Sequence, residues 1–144
     1  MDKIIQEKIS ADHLLYVSLK YTKTTEVILN LIARWRSMIE IAIERLLENS
    51  LENKKIKSIP ETPIRKIEAI KESYKRNKTI IDTIKLYEFF RRINNLEKIK
   101  ENDFRKNVTL KVLDKGEWIN IDMEKLKEYS EIIDKFVNEI RKIL

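Results

Sequence analysis

A chain of 144 residues has the length of one ordinary domain and removes roughly 68 to 70% of its unfolded surface from water, enough for a core without disulfide or metal staples. With 42% hydrophobic and 38% charged residues but one Gly and two Pro, the composition favours long helices and excludes an all-β fold rich in tight turns. The absence of cysteine excludes a disulfide framework, thiolate metal sites and a cysteine nucleophile, and agrees with a reducing cytoplasm, while the net charge of +6 directs attention to where the excess lies.

The opening "MDKIIQEKIS" lacks the uninterrupted apolar core of a signal peptide, and no apolar run approaches the roughly 20 residues that span a bilayer. A soluble, cytoplasmic protein of one domain, residues 1–144, with no membrane partner is expected. "SADHLLYVSLKY", residues 10–21, holds the only histidine. We read it as the start of a packed helix with Asp12 and His13 at its polar edge. On a helix these two neighbours point about 100° apart, so they form no aligned pair; the competing reading makes His13 a general acid or base with Asp12 or Tyr16 nearby.

Across residues 27–47, Ile28, Leu31, Ile32, Trp35, Met38, Ile39, Ala42, Ile43 and Leu46 recur at steps of three and four, which predicts a bundle helix on the order of 35 Å long. "TKTTE" ahead of it is either a capped connection or the interior of one continuous helix. Periodicity lapses over residues 49–59. "ETPIRKIEAI" then restarts it, with Thr62 as N-cap and Pro63 at the first helical position. Ile64, Ile67, Ile70 and Tyr74 make a narrow stripe. Asn77 and Thr79 mark a turn into a longer helix through Ile80, Ile84, Tyr87, Phe90, Ile93, Leu96 and as far as Ile99, antiparallel to its predecessor.

In "NVTLKVLDKGEWINI" the apolar residues alternate, and the only glycine falls where a type I hairpin turn needs a left-handed residue. Asp122 then caps a last helix whose Leu126, Tyr129, Ile133, Phe136, Ile140 and Ile143 form a seam fit for the bundle or for a second copy. The expected fold is therefore mainly α: an antiparallel bundle of four to five helices with a short β-hairpin before the C-terminal helix.

Chemistry is sparse. One glycine and one histidine build neither a P-loop, a dinucleotide motif nor a metal site, so no metal or cofactor is expected. The charge excess lies wholly in residues 51–106, where sixteen basic side chains meet nine acidic ones. Lys71, Lys75, Arg76 and Lys78 crowd one helix end, and Arg91 and Arg92 follow two phenylalanines; these six are the candidate phosphate contacts. The same charges also fit a solvated helix face, and whether they converge depends on the fold.

The Lys-, Glu- and Ile-rich composition is similar to that of heat-loving microbes. "SADHLLYVSLKYTKTTEVILN", "DFRKNVTLKV" and "KFVNEI" resemble a group of small archaeal proteins with an Ala-Asp-His-Leu, Tyr-Val signature, which implies that Asp12 and His13 are signature residues and brings no activity. The helical body resembles the HEPN superfamily of antiparallel four-helix proteins, many of them dimeric ribonucleases or toxins. Their motif sets a histidine four to six residues after an arginine; here Ile93 follows Arg92 and no histidine lies downstream. The resemblance implies a non-cleaving member that binds RNA or another polyanion. The alternatives are an interaction protein acting through homodimerisation or a partner helix, and a HEPN-like ribonuclease or toxin component.

Overall fold

The computed structural model describes residues 1–144. It begins with α1 (Asp2–His13), a π-turn (Leu14–Ser18) and α2 (Leu19–Tyr21), which follow one another without leaving helical backbone. "SADHLLYVSLKY" therefore closes the first helix instead of opening it. The reason lies upstream, where Asp2 faces the positive helix end and Ile4 is already fully buried. Ala11, Leu15 and Leu19 are buried too. Steps of four drift around an ordinary 3.6-residue turn, but the wider π-turn, in which the Leu19 N–H reaches the Leu14 carbonyl, keeps all three facing inward.

Residues 22–24 are a true break. Thr24 is extended and its Oγ1 accepts the Val27 N–H at 3.2 Å, while Asp103, distant in sequence, accepts the Thr25 N–H at 2.9 Å. Two of the four open donors at the start of α3 (Thr25–Glu52) are thus closed by side chains. This helix has 28 residues, about 42 Å, and touches α1, α4 (Pro63–Ser73), α5 (Lys78–Ile93), β2 (Thr109–Asp114) and α6 (Met123–Ile143).

The caps read from the sequence are present: Thr62 accepts from Arg65, Asn77 from Ile80 and Asp122 from Lys125. Lys71–Glu88 contact joins α4 to α5 on opposite sides of their short turn, as an antiparallel pair requires. Two details differ from expectation. Ile64 is 65% exposed because it opens onto the groove between α4 and α5, while Lys66 of the same turn reaches Glu44 of α3, and only Ile67 and Ile70 of α4 are buried. Helix α5 stops at Ile93, where Asn94 and Asn95 favour a turn, so Ile99 lies not in a helix but in an additional strand, β1 (Lys98–Glu101).

The sheet order is β1-β2-β3, all antiparallel, with β3 at Glu117–Ile121. Leu110 pairs with Ile121 and Val112 with Ile119, and the even positions of β2 face inward. Asp114 pairs with Glu117 around a two-residue loop in which both Lys115 (φ 52°) and Gly116 (φ 82°) are left-handed. That is a type I′ turn, whose twist suits the hairpin, rather than a type I turn.

One core of 34 buried residues draws on every helix and on β2 and β3. At its centre Trp35 stacks on Phe90 at 6.0 Å, and Phe90 meets the edge of Tyr129 at 5.5 Å. Burial pushes the Tyr129 phenol up to about 12. The α6 seam is used inside the chain: Leu126, Tyr129, Ile133, Phe136 and Ile140 are buried, which leaves little of it for a second copy. No helix is long and apolar enough to cross a membrane.

The sheet is tied to α5 by Arg92, whose Nε and an Nη each donate to Asp114 at 3.0 Å. Asp114 is buried, and the Arg92 hydrogen bond holds its carboxyl below the usual carboxylate range. A depressed carboxylate contributes stability above its ordinary value and loses it as pH falls through the lowered one. Asp114→Asn is expected to cost about 2 kcal/mol at neutral pH, at the modest end for a charged hydrogen bond because Arg92 is partly solvated; urea titrations at pH 7 and pH 3 should show the gap between wild type and variant closing at the lower pH. In the hairpin, a Cβ on Gly116 meets nothing within 4 Å, so Gly116→Ala reports backbone strain alone, about 1 kcal/mol by the same titration.

Candidate functional site

The six basic residues read from the sequence lie on the α4–α5 hairpin but not in one cluster. Lys75, Arg76 and Lys78 surround the turn between the helices. They line a depression of about 670 Å³ together with Lys55, Tyr74 and Asn77. Lys71, Arg91 and Arg92 line a second groove of about 410 Å³ between α4 and α5, beside Glu68 and Glu88.

The fold builds the first depression from the core outwards. Tyr74 is buried, with its hydroxyl 3.4 Å from the Leu46 carbonyl and from Asn49 Oδ1, so it fixes the turn against the last part of α3. Lys55, from the segment after α3, sits over the Tyr74 ring at 4.8 Å. Asn77 does two things: its Oδ1 caps α5 at Ile80, and its Nδ2 donates to Glu139 of α6 at 3.0 Å. Four cations thereby stand around the positive end of α5. The acids present are Glu72, 3.2 Å from Lys75, and Glu139, held by Asn77. Arg76 and Lys78 are exposed and have no carboxylate within ion-pair distance.

The helix ends sharpen this contrast. Asp2 on α1, Glu26 on α3 and Glu124 on α6 each place an acid in the first turn, as the macrodipole favours, whereas α4 and α5 have none there and α5 begins with Lys78. The first-turn N–H groups that Asn77 does not cap, together with lysine, make a local positive potential suited to a phosphate or carboxylate, which Glu139 at the cap reduces in part.

The second groove is occupied by structural pairs. Lys71 Nζ is 2.6 Å from Glu88, and Arg92 is committed to Asp114. Arg91 has no carboxylate partner; its guanidinium lies 6.0 Å from the Tyr87 ring. Tyr87 donates to Glu40 at 2.9 Å, and burial followed by that hydrogen bond raises its phenol above the usual range. The phenylalanines before the arginines are core: Phe89 and Phe90 are buried and cannot stack on a base. Lys55 was not among the residues read from the sequence, because nothing in an aperiodic lysine-rich segment announces that it folds back onto Tyr74.

Asp12 and His13 separate. Asp12 accepts from Lys8 at 2.7 Å, and Lys8 also lies 3.1 Å from Asp134, joining α1 to α6. Burial opposes the Lys8 charge, but the hydrogen bonds to Asp12 and Asp134 outweigh it and raise its pKa. His13 is exposed on the outer face of α1, just before the π-turn. No group of three or more His, Asp or Glu side chains is placed to hold a metal ion. Compared with known proteins, the chain matches no protein-family model, no curated protein and no solved structure.

Proposed function

We propose that the protein binds a polyanion, with RNA as the ligand its basic surface suits, and that it does so without cleaving it. The observation that supports this reading is the cluster of Lys55, Lys75, Arg76 and Lys78 around the start of α5, whose own first turn carries no acid and whose nearby Glu72 and Glu139 are held by Lys75 and Asn77. Its cations are held on a turn anchored through buried Tyr74, so little is lost in ordering them when a phosphate arrives. Of the six residues read from the sequence, Lys75, Arg76 and Lys78 are the phosphate contacts on this reading, with Arg91 available further along α5. Lys71 and Arg92 act instead as structural partners of Glu88 and Asp114.

The resemblance to HEPN proteins agrees with this in the form of a non-cleaving member, since the arginine-to-histidine motif that carries cleavage there is missing from this sequence. A catalytic role for His13 has less support: the exposed imidazole has no neighbouring carboxylate in contact and lines none of the larger depressions. The homodimer expected from the last helix loses its main support with the burial of the α6 seam.

Binding of labelled single-stranded RNA across a salt series tests the proposal. The wild type should bind with steep salt dependence and leave the RNA intact. Because each phosphate contact on a single strand contributes about 0.7 to the logarithmic slope, Arg76→Ala/Lys78→Ala should weaken binding and flatten that slope by about 1.4. An unchanged slope and affinity in a folded double variant would remove the α5 start from the model.

A further inference from the structure

The loop between β1 and β2 presents an aromatic ring to solvent in a backbone conformation that phenylalanine rarely adopts. Phe104 is 78% exposed at φ 67°, and Asn102, two residues before it, is also left-handed at φ 61°. A bulky residue there is strained without a packing reward in the chain, and such strain marks positions held for function. The loop is nevertheless fixed. The Phe104 N–H donates to the Lys23 carbonyl at 2.6 Å, Asp103 caps the first turn of α3, and Asn102 Nδ2 donates to the Asn107 carbonyl at 3.3 Å.

The Lys23 bond brings Phe104 to the end of the first helical rod, where Tyr21 is 79% exposed. Lys20 Nζ lies 5.9 Å from the Tyr21 ring centroid, and Arg105 and Lys106 follow Phe104, both exposed. The acids of this segment are already taken: Asp103 by the Thr25 N–H, Glu101 by Lys111 at 3.2 Å. Lys20, Lys23, Arg105 and Lys106 have no carboxylate partner. The Lys23 ammonium donates to the Lys20 carbonyl, which leaves Lys20, Arg105 and Lys106 free. Exposed rings with free cations beside them are what a single strand requires, with bases stacking on the rings and phosphates meeting the ammonium and guanidinium groups. A protein partner would also take exposed rings, but interface cores are depleted in lysine, and Lys20, Lys23 and Lys106 all belong to this surface.

We propose that Tyr21 and Phe104 form a base-stacking platform for single-stranded RNA, a second contact surface separate from the phosphate cluster at α5. The choice of ligand class rests on the polyanion reading; the stacking surface rests on its own geometry. Duplex RNA keeps its bases stacked on each other and has none to offer these rings.

Fluorescence anisotropy with a labelled oligouridine and an abasic strand of the same length separates the two. The wild type should prefer the base-bearing strand by about tenfold, and Tyr21→Ala or Phe104→Ala should each remove most of that preference while leaving abasic binding unchanged. Phe104→Asn, which suits the left-handed backbone, should raise the thermal unfolding midpoint and weaken oligouridine binding together. Equal binding of both strands, unaltered by these variants, would overturn the platform and leave the phosphate reading standing. No binding of either strand would remove the phosphate reading and the platform with it. A concentration-dependent dimer that Phe104→Ala abolishes, with RNA affinity unchanged, would reassign the surface to a second copy of the chain.

Discussion

Every layer of this protein is organised by the burial of α3. Residues from Ile28 through Leu47 place apolar side chains around more than one side of the helix, so a single neighbour cannot cover them. α1, α4, α5, α6 and β2 each take a share; α1 and α4 find their principal partner in this rod, while α5 and α6 pack mainly on each other. Asn30, Ala33, Arg34, Glu40 and Arg45 keep one stripe of it in solvent, and its two ends remain to be closed. There the chain closes the helix with features from elsewhere: Asp103 at the start, the Tyr74 hydroxyl near the finish. Both candidate surfaces grow from these closures, one beside each end of a helix about 42 Å long.

Charge in the central segment divides into two populations that composition alone does not separate. Lys71 and Arg92 hold the hairpin of helices and the sheet in place, and their charges are matched within a few ångströms. Arg76, Lys78 and Arg91 are matched by nothing comparable. A net excess of positive charge in a sequence is thus the remainder after structural pairing, and that remainder is what an anion meets. The same division explains why adjacent arginines, Arg91 and Arg92, have different roles: one residue of helical rotation turns Arg92 toward Asp114 and Arg91 along the Tyr87 ring.

Most of the helical architecture was legible because it is written in local chemistry. Thr62-Pro63, Asn77 and Asp122 announced their helix starts, and the spacing from Ile28 to Leu46 defined α3. What stayed hidden depends on partners distant in sequence. Four residues of β1 show no period long enough to distinguish from a helix end, and they become a strand only because β2 supplies the other half of the ladder. The first helix already begins at Asp2, upstream of "SADHLLYVSLKY", and the π-turn that keeps Leu15 and Leu19 inward is a one-residue change in hydrogen-bond register that residue spacing does not announce. Lys55 and Phe104 acquire their settings from Tyr74 and Lys23, contacts that periodicity does not encode.

The strand β1 also bears on how copies of the chain behave toward one another. It forms one margin of the sheet, with its outer backbone groups unpaired, and such a margin invites another strand to add on. Here it is only four residues long and holds Lys98 and Lys100, so a like strand added in parallel register brings lysine against lysine. Beyond it the chain turns sharply through Asn102, which ends the ladder before it can be extended. This margin of the sheet is thereby protected from fibrous growth by its own charge and brevity, and a lysine-rich segment that contributes nothing to the core serves colloidal solubility.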